Sequence, residues 1–456
     1  MLARVRRLPV GGTFAAAFAV TAAVAVALGS APRSLRAAPS STVSLSAGTV
    51  SSTASATGNG VADVDPEVLG PGEDGMPVAP MPETAAPAMV SPSGPGGGQP
   101  SEADAPRGDV TAATRGGAVE WVGYIRILAE AVENDAASTF VGRNDGFRLA
   151  SARLGARVRY GALYGYVSID GAVGEREGFN ASNATLALEP RDVQLGYEFA
   201  QYASLTLGRF RAPYDLGEVV DTELRTFIDA PLESRGVEAT LGYQMKGLSQ
   251  GRQLGVMLHR ERVGLSEDGF DVGYALALTN GRTEGLAFND NDRLAGFARA
   301  TVHYGSFVSL NVAGFTDTRT VGELPNLFDE RVRGFEGSLS AEAFGLAFEG
   351  QILFQRTDFL TSGRPKVDAL GLHAQCAYRF GNWLFAYRYA WLDPNTTNVE
   401  GEASERDAVS EHTLGVVYWP IADGPLKFAM NGTIAKESPG RRLDNNRITL
   451  LSQILF

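Results

Sequence analysis

Arginine carries nearly all the positive charge of this 456-residue chain: of 40 basic residues, only Lys246, Lys366, Lys427 and Lys436 are lysine. A guanidinium is a flat fork of donors that matches phosphate and other oxyanions. Arg153, Arg157 and Arg159 fall on one side of a two-residue alternation whose other side is Leu154, Ala156, Val158 and Tyr160. Arg293, Arg299 (with His303), Arg379 and Arg388 take the same polar-face assignment. A wet face bearing such a row would attract anions. The competing role is neutralisation of acids such as Asp192, Glu198, Glu238 and Glu349. Residues 119–456 hold 33 basic and 43 acidic residues, so the totals leave both roles open. A second charged cluster starts at Arg211 and fills residues 213–235 with Asp215, Glu218, Asp221, Glu223, Arg225, Asp229, Glu233 and Arg235.

Catalytic chemistry finds little support. His259, His303, His373 and His412 are dispersed, with no HExxH pattern, and Ser410 beside His412 is the one close Ser/His pair. That pair sits at a loop–strand junction, whereas an outer-membrane phospholipase would need a Ser and His adjacent on the outer barrel face. No phosphate-cradling or dinucleotide glycine motif occurs, and nothing suggests nucleic-acid binding. The single Cys376 excludes an internal disulfide framework, a multi-Cys zinc site and an iron–sulfur cluster. The sequence therefore predicts no catalytic residue, no metal ligands and no cofactor.

Three compositional zones would have to position these charges. Residues 1–36 read as a signal peptide: Arg4, Arg6 and Arg7, then an apolar stretch at 14–28 broken only by Thr21, then small residues. Cleavage is placed within 29–37, and an uncleaved anchor is the competing reading. Residues 37–118 contain half of the 22 prolines, no aromatic residue, and nine acids against Arg107 and Arg115. This composition predicts a disordered, acidic Pro/Ser/Ala/Gly-rich linker that builds no core. Residues 119–456 alternate with period two, as strands with unlike faces must. Val193, Leu195, Tyr197 and Phe199 oppose Asp192, Gln194, Gly196 and Glu198; Trp383, Phe385, Tyr387, Tyr389 and Trp391 share one face, with Arg388 on the other. Val237, Ala239, Leu241 and Tyr243 show the same pattern and predict a further strand.

A soluble sandwich would turn these apolar faces inward. Segment length, about 9–11 residues in about sixteen segments, suits tilted membrane strands instead. Aromatics crowd the strand ends at Tyr160, Tyr304, Phe380, Trp391, Tyr418 and Trp419, as interfacial girdles do. The last segment, Ile448, Leu450, Ser452, Ile454 and Phe456, alternates to a terminal aromatic. The fold class predicted is all-β: an antiparallel transmembrane β-barrel of about 16 strands over residues 119–456. In that setting residues 213–235 either fold into the lumen as a constriction loop or stand outside. The polar stretches 171–189, 318–330 and 393–411 read as exterior loops.

The run Leu205-Thr-Leu-Gly-Arg-Phe-Arg-Ala-Pro-Tyr214 resembles the Gly-x-Phe-Lys/Arg-x-Pro-Phe segment of the phosphate-selective porins of the O and P type. Phe227-Ile-Asp, Arg235-Gly-Val237, Tyr274-Ala-Leu-Ala-Leu-Thr-Asn-Gly281, Tyr387-Arg-Tyr-Ala-Trp-Leu-Asp393, Thr413-Leu-Gly-Val-Val-Tyr-Trp419 and the ending at Phe456 are similar to later blocks of that family, in order. The resemblance implies a sixteen-stranded, trimeric outer-membrane channel, with Phe456 recognised by the barrel assembly machinery. Expected partners are outer-membrane lipid and lipopolysaccharide, like copies in a homotrimer, and small solutes or anions. A porin for passive diffusion, with anion or phosphate preference, is the leading expectation. A non-conducting structural or adhesive barrel is the alternative.

Overall fold

A computed structural model of the chain describes residues 118–456 apart from 134–140, 142–144, 174–185, 200, 239–240, 242–244, 265–268, 282–288, 290, 324, 361–364, 397–406, 423 and 438–442. The predicted signal peptide and nearly all of the predicted linker lie outside the described residues. Eighteen strands follow in chain order: β1 (Ala118–Val132), β2 (Gly146–Tyr160), β3 (Leu163–Val173), β4 (Leu186–Phe199), β5 (Ala203–Arg211), β6 (Gly236–Val237), β7 (Met245–Lys246), β8 (Arg252–Gly264) and β9 (Phe270–Thr279). The second half comprises β10 (Ala295–Tyr304), β11 (Val308–Glu323), β12 (Asn326–Ala343), β13 (Leu346–Phe359), β14 (Val367–Phe380), β15 (Trp383–Asp393), β16 (Val409–Tyr418), β17 (Leu426–Glu437) and β18 (Arg447–Leu455). Sixteen of them form one closed antiparallel barrel, and the two-residue strands β6 and β7 pair separately. Sequential neighbours pair throughout, and β1 closes on β18 with Tyr124 opposite Leu455. Backbone bonds in both directions between Gly123 and Phe456, 2.8 and 3.0 Å, complete the seam. Closure leaves no unpaired edge in the barrel wall.

The barrel inverts the usual soluble pattern. Leu195, Leu278, Leu414 and Ile434 are 52–66% exposed on the outer face. Between them the inward positions carry Arg126, Asp170, Glu336, Gln351, Arg388, Glu411, Thr433 and Gln453, all buried. An outer surface of this kind is stable only against lipid. At one end the strands meet in short turns, several of two residues; Gly381, at φ 58°, takes the left-handed conformation such a turn demands. Aromatics ring that end: Phe270 packs on Tyr304 at 4.8 Å and Trp383 on Tyr418 at 4.4 Å between ring centres. The other end carries the long connections.

Two expectations are corrected here. Val237 and Leu241 are not on a lipid-facing strand; both are buried in an apolar cluster with Tyr214, Phe297, Phe315 and Leu353. They belong to the long connection between β5 and β8. Residues 318–330 are not an open loop either, because β11 and β12 continue as a paired ladder to Glu323 opposite Asn326. Main-chain pairing needs no apolar alternation once a hairpin leaves the lipid, so the sequence pattern fades where the strands do not.

Candidate functional site: an inward loop and two charged zones

Residues 212–251 leave the wall after β5 and return at β8, their neck closed by the Ala212 amide on the Gly251 carbonyl at 3.0 Å. Within them lie helix α1 (Leu216–Val219), helix α2 (Leu232–Arg235) and the β6–β7 pair. Asp215 caps α1, its Oδ1 accepting from the Gly217 amide at 3.0 Å. Gly236 ends α2 at φ 80°; a Cβ there would lie 2.0 Å from the Met245 carbonyl oxygen, so only glycine fits.

The segment turns into the barrel and is fastened to eight consecutive wall strands. Starting at β12 and β13, the Tyr214 hydroxyl donates to the carbonyls of Phe335 (3.2 Å) and Phe354 (3.4 Å), and Gln351 donates to Asp215 at 3.0 Å. On β14, His373 pairs with Glu233 of α2, and its Nε2 lies 3.1 Å from Glu349. On β15, Arg388 donates to the Asp229 carbonyl at 3.0 Å and covers the Phe227 ring. On β16, Glu411 accepts from Arg235 at 2.5 Å and from Arg447 of β18 at 3.1 Å. Lys427 on β17 donates to the carbonyls of Glu223 (3.2 Å) and Arg225 (2.8 Å). Gln453 on β18 reaches the Glu223 carbonyl at 3.1 Å, and Arg126 on β1 reaches the Ile228 carbonyl at 2.8 Å. Wall cations thus satisfy loop carbonyls that would otherwise be buried without partners.

The loop's own charges are largely paired. Arg211 bridges Asp221 at 2.8 Å and donates to the Val219 carbonyl, and Arg225 lies 3.5 Å from Glu218. Burial raises the Asp215 carboxyl to about 7, helped by Glu233 and Glu218. Burial also raises Glu223, with Asp221 adding to it. Burial alone would raise Asp229, but Arg235, Arg447, Arg148 and Arg126 together hold it below the usual carboxylate range.

The turn-side lumen is different. Arg153, Arg157 and Arg159 share the inward face of β2, in register with Asp170, Tyr166 and Tyr164 of β3. Arg153 is buried and lies 3.3 Å from Asp170. Arg157 is exposed, its guanidinium 5.5 Å from the centre of the Tyr166 ring. Arg159 bridges Glu198 at 2.7 Å with half its side chain exposed. Arg379, also exposed, stacks on Trp419 at 5.2 Å, and Arg299 donates to Asn311 at 2.9 Å. Of the four acids named as neutralisers, Asp192 bridges Arg252 at 2.8 Å, Glu198 takes Arg159, Glu349 takes His373, and Glu238 lies 4.0 Å from Arg148.

Arg293 is a correction: it stands exposed in the connection between β9 and β10, not on an inward strand face. Arg388 faces inward but is covered by the loop. Sequence reasoning missed Arg126, His373, Glu411, Lys427 and Gln453 as loop anchors. Each is a polar residue at an inward position of an apolar-alternating strand, and that parity was the available signal. His412, the histidine close to a serine in sequence, faces outward; its Nδ1 is 2.8 Å from the Tyr387 hydroxyl, while Ser410 donates to the Lys436 carbonyl.

No family model matches the chain, and no curated protein matches it. Among solved structures it is similar to an anion-selective porin from Comamonas acidovorans: 15% identity, TM-score 0.53, covering 75% of this chain and 100% of that one. It is similar also to the outer-membrane channel DcaP of Acinetobacter baumannii, at 14% identity and TM-score 0.52 over 75% of this chain and 98% of that one. OmpF of Salmonella typhi aligns at 11% identity and TM-score 0.50, over 74% and 97%. At these identities the likeness is one of fold, and it extends over the closed antiparallel barrel of this chain.

Proposed function

We propose that the protein is a porin of the bacterial outer membrane, through which small hydrophilic solutes diffuse passively. The observation that carries this is the inverted barrel with its inward loop fastened to eight wall strands, an arrangement that narrows a lumen while keeping it lined with charge. A barrel of sixteen strands is wide enough for an aqueous path. Short turns then face the periplasm and long connections the outside. Anion preference is the finer reading, supported by the exposed guanidinium groups of Arg157 and Arg379 on the turn-side lumen. Phosphate as the favoured anion rests on the segment at residues 205–214, and a homotrimer rests on the same resemblance. Reversal potentials across a planar bilayer test the selectivity: a chloride gradient should give an anion-selective sign, and phosphate should block the chloride current. A cation-selective sign would remove the anion reading and leave the porin.

A non-conducting structural or adhesive barrel is the second reading. It is favoured by the apolar packing of Tyr214, Leu232, Val237 and Leu241 against Phe297, Phe315 and Leu353 inside the wall.

A further inference from the structure

The outer face of β15–β17 is not uniform. Cross-strand register sets three rows there, descending from the long-connection end toward the turns. Trp391, Ser410 and Lys436 form the first; Tyr389, His412 and Ile434 the second; Tyr387, Leu414 and Gly432 the third. Gly432 removes the side chain where an apolar residue would otherwise stand, and a Cβ built on it meets nothing within 4 Å. The result is a groove of about 330 Å³ lined by Tyr387, His412, Leu414, Gly432, Ile434 and Lys436. Its lower part is apolar. Its upper rim carries an exposed lysine, one residue before the strand ends. Between the two lies an imidazole: with the Tyr387 phenol donating to His412 Nδ1, 2.8 Å away, Nε2 carries the ring hydrogen and is a donor.

Cation at the edge of the apolar band, imidazole donor below it and a chain-wide apolar trough below that form a sequence of chemistries. A phosphorylated lipid presents the same sequence: anionic headgroup, polar linkage, acyl chain. We infer that this groove is a binding site for one acyl chain of a phosphate-bearing lipid, its phosphate taken by Lys436 with His412 donating beneath. The trough accounts for the chain and the lysine for the charge, so neither feature alone defines the ligand. The leaflet rests on the proposed outer-membrane orientation, which puts the groove on the outward side; the site itself does not depend on conduction.

Native mass spectrometry of the full chain in mild detergent tests this, with three probes: bis-phosphorylated lipid A, phosphatidylglycerol and uncharged diacylglycerol. Wild type should retain the phosphate-bearing probes, and the tighter of the two names the natural source. Lys436→Glu should weaken those two about tenfold and leave diacylglycerol unchanged, because one charge-assisted contact is lost. Gly432→Leu fills the trough without touching the backbone and should weaken all three. A heat-modifiable band for each variant confirms the folded barrel. Unchanged retention in both variants overturns the site. Loss of an oligomer in Gly432→Leu with lipid retention intact overturns it too, and assigns the groove to a second copy of this chain. Both variants should conduct as wild type does, so a failure of the channel reading is seen separately.

Discussion

Two charged zones line the same barrel with the same residue types and differ in what surrounds them. Beneath the inward loop Arg126, Arg388 and Lys427 are 3–6% exposed and donate to its carbonyls. On the turn side Arg157 and Arg379 are exposed, each resting on an aromatic ring. A guanidinium bound to loop carbonyls holds shape; one that keeps its edge in water sets the local field. Counting cations along the lumen therefore misjudges selectivity, and burial separates the two roles.

Removing the loop breaks the comparison most severely. Deletion of residues 216–235 should raise single-channel conductance about twofold or more, because the obstruction goes while the wall stays closed. The clamp can also be cut at one point. Glu411→Ala leaves Arg235 and Arg447 facing each other without their shared acceptor. Loss of one partner from a buried pair costs about 3–5 kcal/mol. A lowered urea midpoint and protease cleavage near Arg235 would register it; an unchanged midpoint would show that the loop is held by its apolar contacts alone.

These anchors also show what the sequence could and could not convey. The outward stripe from Trp383 to Trp391 was legible because a strand between lipid and lumen must alternate. Val237 and Leu241 imitated the same stripe, since an apolar pair buried inside the lumen obeys the same parity as one facing lipid. The sequence left residues 213–235 open between constriction and exterior loop. Their anchors, Arg126, Lys427 and Gln453, lie over a hundred residues away or more, beyond any local spacing. Arg153, Arg157 and Arg159 were read onto one inward face, where the structure has them, but the buried ion pair of the first and the exposure of the second follow only from the register of β3.

A subtler effect follows from Asp215. Its carboxyl titrates at about 7 when folded, against 3.8 when exposed. Between those values the folded chain holds a proton that the unfolded chain has released, so stability falls as the pH rises through this window. The change is bounded at about 4 kcal/mol. Asp215→Asn keeps an oxygen acceptor for the Gly217 amide and should flatten the urea midpoint between pH 5 and pH 8. A dependence that survives the substitution would place the titration elsewhere.

The smallest effect on stability belongs to the turn side. Arg157→Ala should change unfolding by no more than about 0.5 kcal/mol, as an exposed substitution does. It should still move the reversal potential toward cations, the opposite balance from Glu411→Ala. A large loss of stability in Arg157→Ala would erase the distinction between the zones.

The central claim is that the charged lumen is a path. Single-channel recording in a planar bilayer with purified, heat-modifiable protein in potassium chloride tests it most directly. The account predicts discrete conductance steps in wild type and larger steps once residues 216–235 are removed. Folded wild-type protein that gives no steps, while the loop deletion also stays silent, would contradict it.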